Sequence, residues 1–196
     1  CGDDNTRNFL EQYEEKERKE SLARREREDA YVRLARYTVE KFVKTGTLPE
    51  MPEGLPEELY KSRAGAFVSL KEDGRLRGCI GTIRAVRGTL AEEIMHNAVS
   101  ACSEDTRFSP VEDWEVDRLT ISVDVLGETE KISSPEELDV TRYGVIVTKG
   151  GRRGLLLPNL EGVDTVEQQI AIAKQKAGIR ERESVELERF EVIRHY

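Results

Sequence analysis

Ala66-Phe67-Val68-Ser69-Leu70-Lys71-Glu72-Asp73-Gly74-Arg75-Leu76-Arg77-Gly78-Cys79-Ile80-Gly81-Thr82-Ile83 is the stretch that decides the fold. Ala66 to Leu70 reads as a strand, Glu72-Asp73-Gly74 is turn chemistry, and Arg75 to Ile83 returns as a second strand. A tight turn between two strands forces antiparallel pairing. Alternate side chains on a strand share a face, so Leu76 and Ile80 are expected to point one way with Gly78 between them. Arg75, Arg77 and Cys79 are expected to point the other way. Gly78 and Gly81 leave the backbone beside Cys79 uncrowded, open to a ligand or to another chain segment. Two guanidinium groups on the face of a thiol favour its thiolate, which is the reactive form. The opposing reading is a small buried hydrophobe, the commonest state of a strand cysteine.

Outward from the hairpin, the pattern alternates between helix and strand signals. Tyr31, Leu34, Ala35, Thr38, Val39 and Phe42 form a helical stripe, stopped by Gly46 and by the prolines at 49, 52 and 56. Thr89-Leu90-Ala91-Glu92 has capping-box form, and Leu90, Ile94, Ala98 and Ala101 continue a helix to about Ser103. Ser109-Pro110 and Ser134-Pro135 each read as an N-cap followed by a first-turn proline. Leu119 to Leu126 alternates as a half-buried strand. Val145 to Val147, the Gly150-Gly151 turn and Leu155 to Leu157 predict a further hairpin. Asp164-Thr165-Val166-Glu167 caps a last helix with Val166, Ile170, Ala173 and Ala177 inward and Gly178 at its end. Val185 to Val192 closes the chain as a strand whose apolar phase shifts near Arg189, which predicts a bulge there. Hairpins with segregated helices give an α+β fold, a mostly antiparallel sheet flanked by helices. The sequence shows no internal repeat.

Charge is concentrated ahead of this pattern. From Glu11 to Asp29, 14 of 19 residues are charged, so residues 1–29 are read as a charged helical arm or interdomain linker and residues 30–196 as the domain. Acid-first i,i+4 pairs such as Glu15-Lys19 and Glu20-Arg24 suit a solvated helix. Net charge is −8, which argues against general electrostatic binding of nucleic acid. No apolar run approaches the ~18 residues of a membrane span. Three cysteines, at 1, 79 and 102, make neither a disulfide framework nor a zinc spacing, and a cytoplasmic setting is expected. Cys1 stands where Met opens a natural chain; a trimmed chain, a fusion and a mature lipoprotein are the readings left open.

Two further segments are candidates for chemistry. Asp105-Thr106-Arg107-Phe108-Ser109-Pro110 follows the helix carrying Cys102 and is either a rigid turn or a site in which Asp105 caps or pairs with Arg107. Gly150-Gly151-Arg152-Arg153-Gly154 is either a solvated hairpin tip or an anion cradle of backbone N–H groups and guanidinium forks. Cys102 lies on the stripe of its helix and is expected in the core. There is no phosphate-binding glycine motif and no HExxH, and His96 and His195 lack ligand-spaced partners, so no metal and no cofactor are expected. A dyad of Cys79 with His96 stays open, because such partners meet in space.

Arg75 to Thr82 resembles the LRGCIGT signature of the AMMECR domain family. Asp105-Thr106-Arg107-Phe108 is similar to that family's D-P-R-F segment, with Thr106 where Pro is common. Residues 122–126, 143–147, 150–158 and 162–169 resemble it too, in order, so the likeness runs from about Asp29 to Tyr196 and leaves the arm outside. It is nearest to AmmeMemoRadiSam system protein A. The resemblance implies an α+β fold with a larger and a smaller part and a cleft between them. It also implies a three-part system whose other members are a Memo-like protein, sometimes fused ahead of this domain, and a radical S-adenosylmethionine enzyme. The signature cysteine maps to Cys79. One expectation is therefore an enzyme component in which Cys79 is a nucleophile or covalent carrier. Arg75, Arg77, Gly78, Gly81, Thr82, Asp105, Arg107, Arg152 and Arg153 would then hold a small anionic substrate. The other is a non-catalytic scaffold or anion-binding module in which Cys79 is structural.

Overall fold

The computed structural model describes residues 3–196, so the question raised by Cys1 lies outside the described residues. The described residues form two compact units: residues 3–124 with 194–196, and residues 125–193. In the first, α1 (Asp3–Arg27) and α2 (Ala30–Thr45) precede a short α3 (Glu57–Lys61), the hairpin β1 (Ala66–Glu72) and β2 (Arg75–Gly81), α4 (Leu90–Ser103) and β3 (Leu119–Leu126). In the second, β4 (Glu130–Ile132) precedes the hairpin β5 (Tyr143–Lys149) and β6 (Arg152–Leu156), α5 (Val166–Lys176) and β7 (Glu186–His195). The fold is α+β, with antiparallel strands and helices beside them.

Each unit repeats hairpin, helix, strand. The strand order is β2-β1-β3 in the first and β6-β5-β7 in the second, with the short β4 on β7. Gly74, Gly78 and Thr89 stand at the same separations as Gly150, Gly154 and Thr165. The sequence hid this repeat because only these few positions agree, while the apolar residues around them differ.

The local signals explain most elements. Asp73 and Gly74 both have positive φ, 50° and 75°, the type I′ geometry that matches strand twist. Asp29 caps α2 by accepting from the N–H groups of Tyr31 and Val32, and Gly46 ends it at φ 70°. The core of the first unit gathers Val32, Leu34, Ala35 and Val39 from α2, Val68 and Leu70 from β1, Ile94 and Ala98 from α4, and Leu119 and Ile121 from β3. Tyr31 is only half-buried: its ring stacks on His195 at 3.7 Å and its hydroxyl donates to Glu58. The second core is built on Val145, Val147, Leu156, Ala173 and Ile179.

Four expectations are corrected. Ser109-Pro110 opens no helical turn; the 3-10 turn covers Asp113–Arg118 and is capped by Glu112. The last helix is capped by Thr165 with Gln168, one residue later than Asp164 with Glu167, because the hydroxyl of Thr165 reaches the N–H of Gln168. At Thr89 the hydroxyl accepts from the N–H of Glu92, but the Glu92 carboxylate turns back to Gly88. The pairing of β5 with β7 runs from Tyr143↔Glu191 to Thr148↔Glu186 without a shift, so Arg189 marks no bulge there. The apolar phase changes because Phe190 faces Gly144, where a Cβ would collide with its ring.

Candidate functional site

A bulge lies instead in the signature hairpin. Glu72 pairs with Arg75 and Lys71 with Leu76, but Leu70 then pairs with Gly78, so Arg77 is the extra residue. An unbroken register from the Asp73-Gly74 turn would set Cys79 opposite Val68, on the face buried under α4. A one-residue slip flips every later side chain to the other face. Cys79 therefore pairs with Ser69, and Arg75 shares the opposite face with Gly78 and Ile80. The expected common face of Arg75, Arg77 and Cys79 does not exist.

Arg77 has no partner on β1 and reaches away. Its Nε and Nη2 donate to both carboxylate oxygens of Glu115 at 2.7 and 3.0 Å, and its other donors meet the carbonyls of Ser109 and Pro110. The side chains are 14% and 7% exposed, so this is a nearly buried, bidentate ion pair. It holds the Ser109–Glu115 segment against β2 and leaves Arg77 no fork for an anion.

The other signature residues are likewise engaged by the fold. A Cβ on Gly78 would collide with the Ala101 carbonyl of α4, and one on Gly81 with the Phe67 ring and the Ala66 carbonyl. The segment that approaches these glycines is the protein's own. Thr82 donates its hydroxyl to the buried Glu93 at 2.6 Å, and the second Glu93 oxygen accepts the N–H groups of Val86 and Arg87 at 2.9 Å each. Asn97 donates to the Ala66 carbonyl at 2.8 Å. The loop from Thr82 to Thr89 thus folds around one buried carboxylate.

Cys79 itself is held by the second motif. Its N–H donates to Asp105 Oδ2 at 2.9 Å and its carbonyl accepts from Arg107 Nη2 at 3.2 Å. Arg107 also grips Asp105 through Nε and Nη2 at 2.9 and 2.7 Å. The pair that the sequence offered as an alternative to a plain turn is present, and it covers the outer edge of β2 as an adjacent strand would. The Arg107 guanidinium, with the N–H of Cys79 helping, holds the Asp105 carboxyl down at about 2 despite its burial. Asp105 balances the charge of Arg107 within the pair, while Arg107 is also electrostatically coupled to Cys79. The Cys79 Sγ lies 3.2 Å from Ser69 Oγ, half-buried, on the face opposite α4. His96 belongs to α4 and so sits on the wrong side of β2 for a dyad; burial and the nearby Arg87 lower its pKa.

Arg75 is exposed beside the hairpin turn. Arg152 pairs with Glu183 at 3.1 Å and donates to the Gly178 carbonyl, and Arg153 pairs with Glu188 at 3.0 Å, all in the second unit. Cys102 is buried as expected, and burial pushes its thiol up to about 11. Among the described residues no group of three or more His, Cys, Asp or Glu could hold a metal ion, and no helix is long and apolar enough to cross a membrane. Sequence reasoning missed Ser69, Glu93 and Glu115. Only Glu93 carried a signal, an acid on the apolar side of a capped helix.

These features define an α+β protein whose signature strand is locked at its outer edge by an Asp-Arg pair. A family model described as AMMECR1 matches residues 32–195, and the chain belongs to that family. It is similar to a Thermotoga maritima protein, 52% identical over 170 residues that make up 86% of this chain and 98% of that one. A Clostridium acetobutylicum protein is 46% identical over 187 residues, 95% of this chain but only 40% of that protein. A match that long runs into the charged arm. The crystal structure of an uncharacterised Pyrococcus horikoshii protein matches with a TM-score of 0.78 at 34% identity, covering 86% of this chain and 90% of that one.

Proposed function

We propose that the chain is a non-catalytic module that holds partner proteins, within a three-part system with a Memo-like protein and a radical S-adenosylmethionine enzyme. The observation that carries this reading is that the signature is spent on the fold. Gly78 and Gly81 admit neighbouring segments, Thr82 serves Glu93, Arg77 serves Glu115, and both backbone groups of Cys79 serve the Asp105–Arg107 pair. Four of the five arginines expected to bind an anion already face carboxylates. The system assignment rests on the resemblance of the motifs to AmmeMemoRadiSam system protein A.

One observation favours the second reading, in which Cys79 is a nucleophile or covalent carrier. The bulge turns its side chain off the packed face and leaves it half-buried beside a hydroxyl. Replacing Cys79 by Ser and by Ala in the reconstituted system separates the two. The module reading expects unchanged partner binding and unchanged consumption of S-adenosylmethionine. Lost turnover with binding and folding intact would overturn it in favour of the second.

A further inference from the structure

We infer that α1 is a strap: polar and ionic contacts seat it on the 3-10 turn Asp113–Arg118, and it lifts from that turn when those contacts are screened. Between residues 8 and 27 no residue is buried, and only Glu17, Ser21, Arg24 and Arg25 are half-buried. Those four recur at helical spacing and form the seated face. Arg118 reaches Glu17 at 3.5 Å, the Ser21 hydroxyl donates to the Asp117 carbonyl at 2.8 Å, and Arg24 donates to the carbonyls of Arg118 and Leu119. Arg25 pairs with Asp117 at 2.5 Å and with Glu40 at 2.8 Å. The buried apolar residues of the first unit include none from this helix.

Three features make this seat weak. Every side chain in its ion pairs is at least 30% exposed, so the pairs contribute little and salt screens them. Arg25 Nε, Arg118 Nε and Glu40 Oε1 are closed off from solvent without a hydrogen bond, although Glu40 Oε1 faces Arg25 Nη2 as an ion pair. Their cost offsets the contacts that close them off. A groove of about 490 Å³, lined by Arg18, Leu22 and Arg24 of the arm with Asp73, Trp114 and Arg118, stays open beside the seat. The arm cannot hold itself either. A helix with no buried face is marginal in water, and its i,i+4 pairs Glu15–Lys19 and Lys16–Glu20 add little. Seat and helix are therefore lost together, as one local unfolding unit. The turn beneath stays in place, because Glu115 grips Arg77 and Arg36 donates to the carbonyls of Val116 and Leu119. The strap thus bears on the segment that supports the signature strand without being needed to hold it.

The strap stands or falls separately from the partner-holding reading. The test is amide hydrogen exchange of the full chain in about 0.05 M and about 0.5 M sodium chloride, comparing residues 8–27 with α4. In the wild type the arm is expected to exchange about tenfold or more faster at the higher salt, with α4 unchanged. The variant with Arg24→Gln and Arg25→Gln keeps the helix propensity of the arm and the pairs Glu15–Lys19 and Lys16–Glu20. Its arm is expected to exchange at low salt as fast as the wild-type arm at high salt. An arm in the wild type whose exchange ignores salt would overturn the strap. Equal protection of the two arms at low salt would also overturn it, because the helix would then hold without its seat. Loss of α4 protection in the variant would do the same, by making the arm part of the cooperative core.

Discussion

The two hairpin-and-helix assemblies, β1-β2-α4 and β5-β6-α5, are built on the same plan. In each a turn glycine with positive φ is followed four residues later by a strand glycine, Gly78 or Gly154, pressed against a helix carbonyl, Ala101 or Ala173. In each a threonine caps the helix, and a helix amide donates to the first carbonyl of the hairpin at 2.8 Å, Asn97 to Ala66 and Gln169 to Tyr143. In each a cation caps the carbonyl just after the strand glycine, Arg107 at Cys79 and Lys176 at Leu155. The second assembly has no LRGCIGT sequence, so these shared parts belong to the fold. Asp105 on the Cys79 N–H, the bulge at Arg77 and the Glu93 loop occur only in the first.

The comparison breaks first at the glycines. Gly78→Ala and Gly154→Ala each drive a methyl into helix backbone, and each is expected to cost at least about 4 kcal/mol in urea unfolding. A large loss at one site and none at the other would show that the two packings are not one device. Arg77→Ala strands Glu115 in a nearly dry site and is expected to cost about 3 kcal/mol; the second unit has no equivalent. Asp105→Ala leaves the Cys79 N–H without its acceptor and is expected to cost about 2 kcal/mol, discounted because the Arg107 side chain is 56% exposed.

Asp105 also fixes a pH dependence. Its folded pKa is depressed to about 2, from the ordinary carboxyl value of 3.8. Its contribution is therefore complete above the unfolded value and is lost as pH falls through the window between them. Stability measured from pH 5 to pH 2 should decline less steeply in Asp105→Asn than in the wild type. The smallest effect belongs to the arm: replacing the exposed Phe9, Leu10 and Tyr13 together by Ser should leave stability within about 0.5 kcal/mol.

What the sequence revealed follows the range of the interactions. The hairpins, α2, α4 and the capped starts at Thr89 and Ser134 were legible because each depends on neighbours within a few residues. The bulge was not. Alternation along β2 alone cannot show that one residue lacks a cross-strand partner, and that single residue decides which face Cys79 takes. The Arg77–Glu115 pair was hidden for a related reason: 38 positions separate its members, and nothing local marks Glu115 as buried. The Asp105–Arg107 pair was visible as an alternative because it is local, but its grip on Cys79 is a tertiary fact.

The central claim is that Cys79 is placed by the fold and not activated by it. It is tested most directly by the rate of alkylation of Cys79 against pH in the folded protein. The measurement is made in a Cys1→Ser background, with Cys102 shielded by burial. The account predicts a rate at neutral pH no greater than that of an ordinary cysteine thiol, rising as pH approaches the usual thiol range. A faster rate that levels off well below that range would contradict it and make Cys79 a reactive centre.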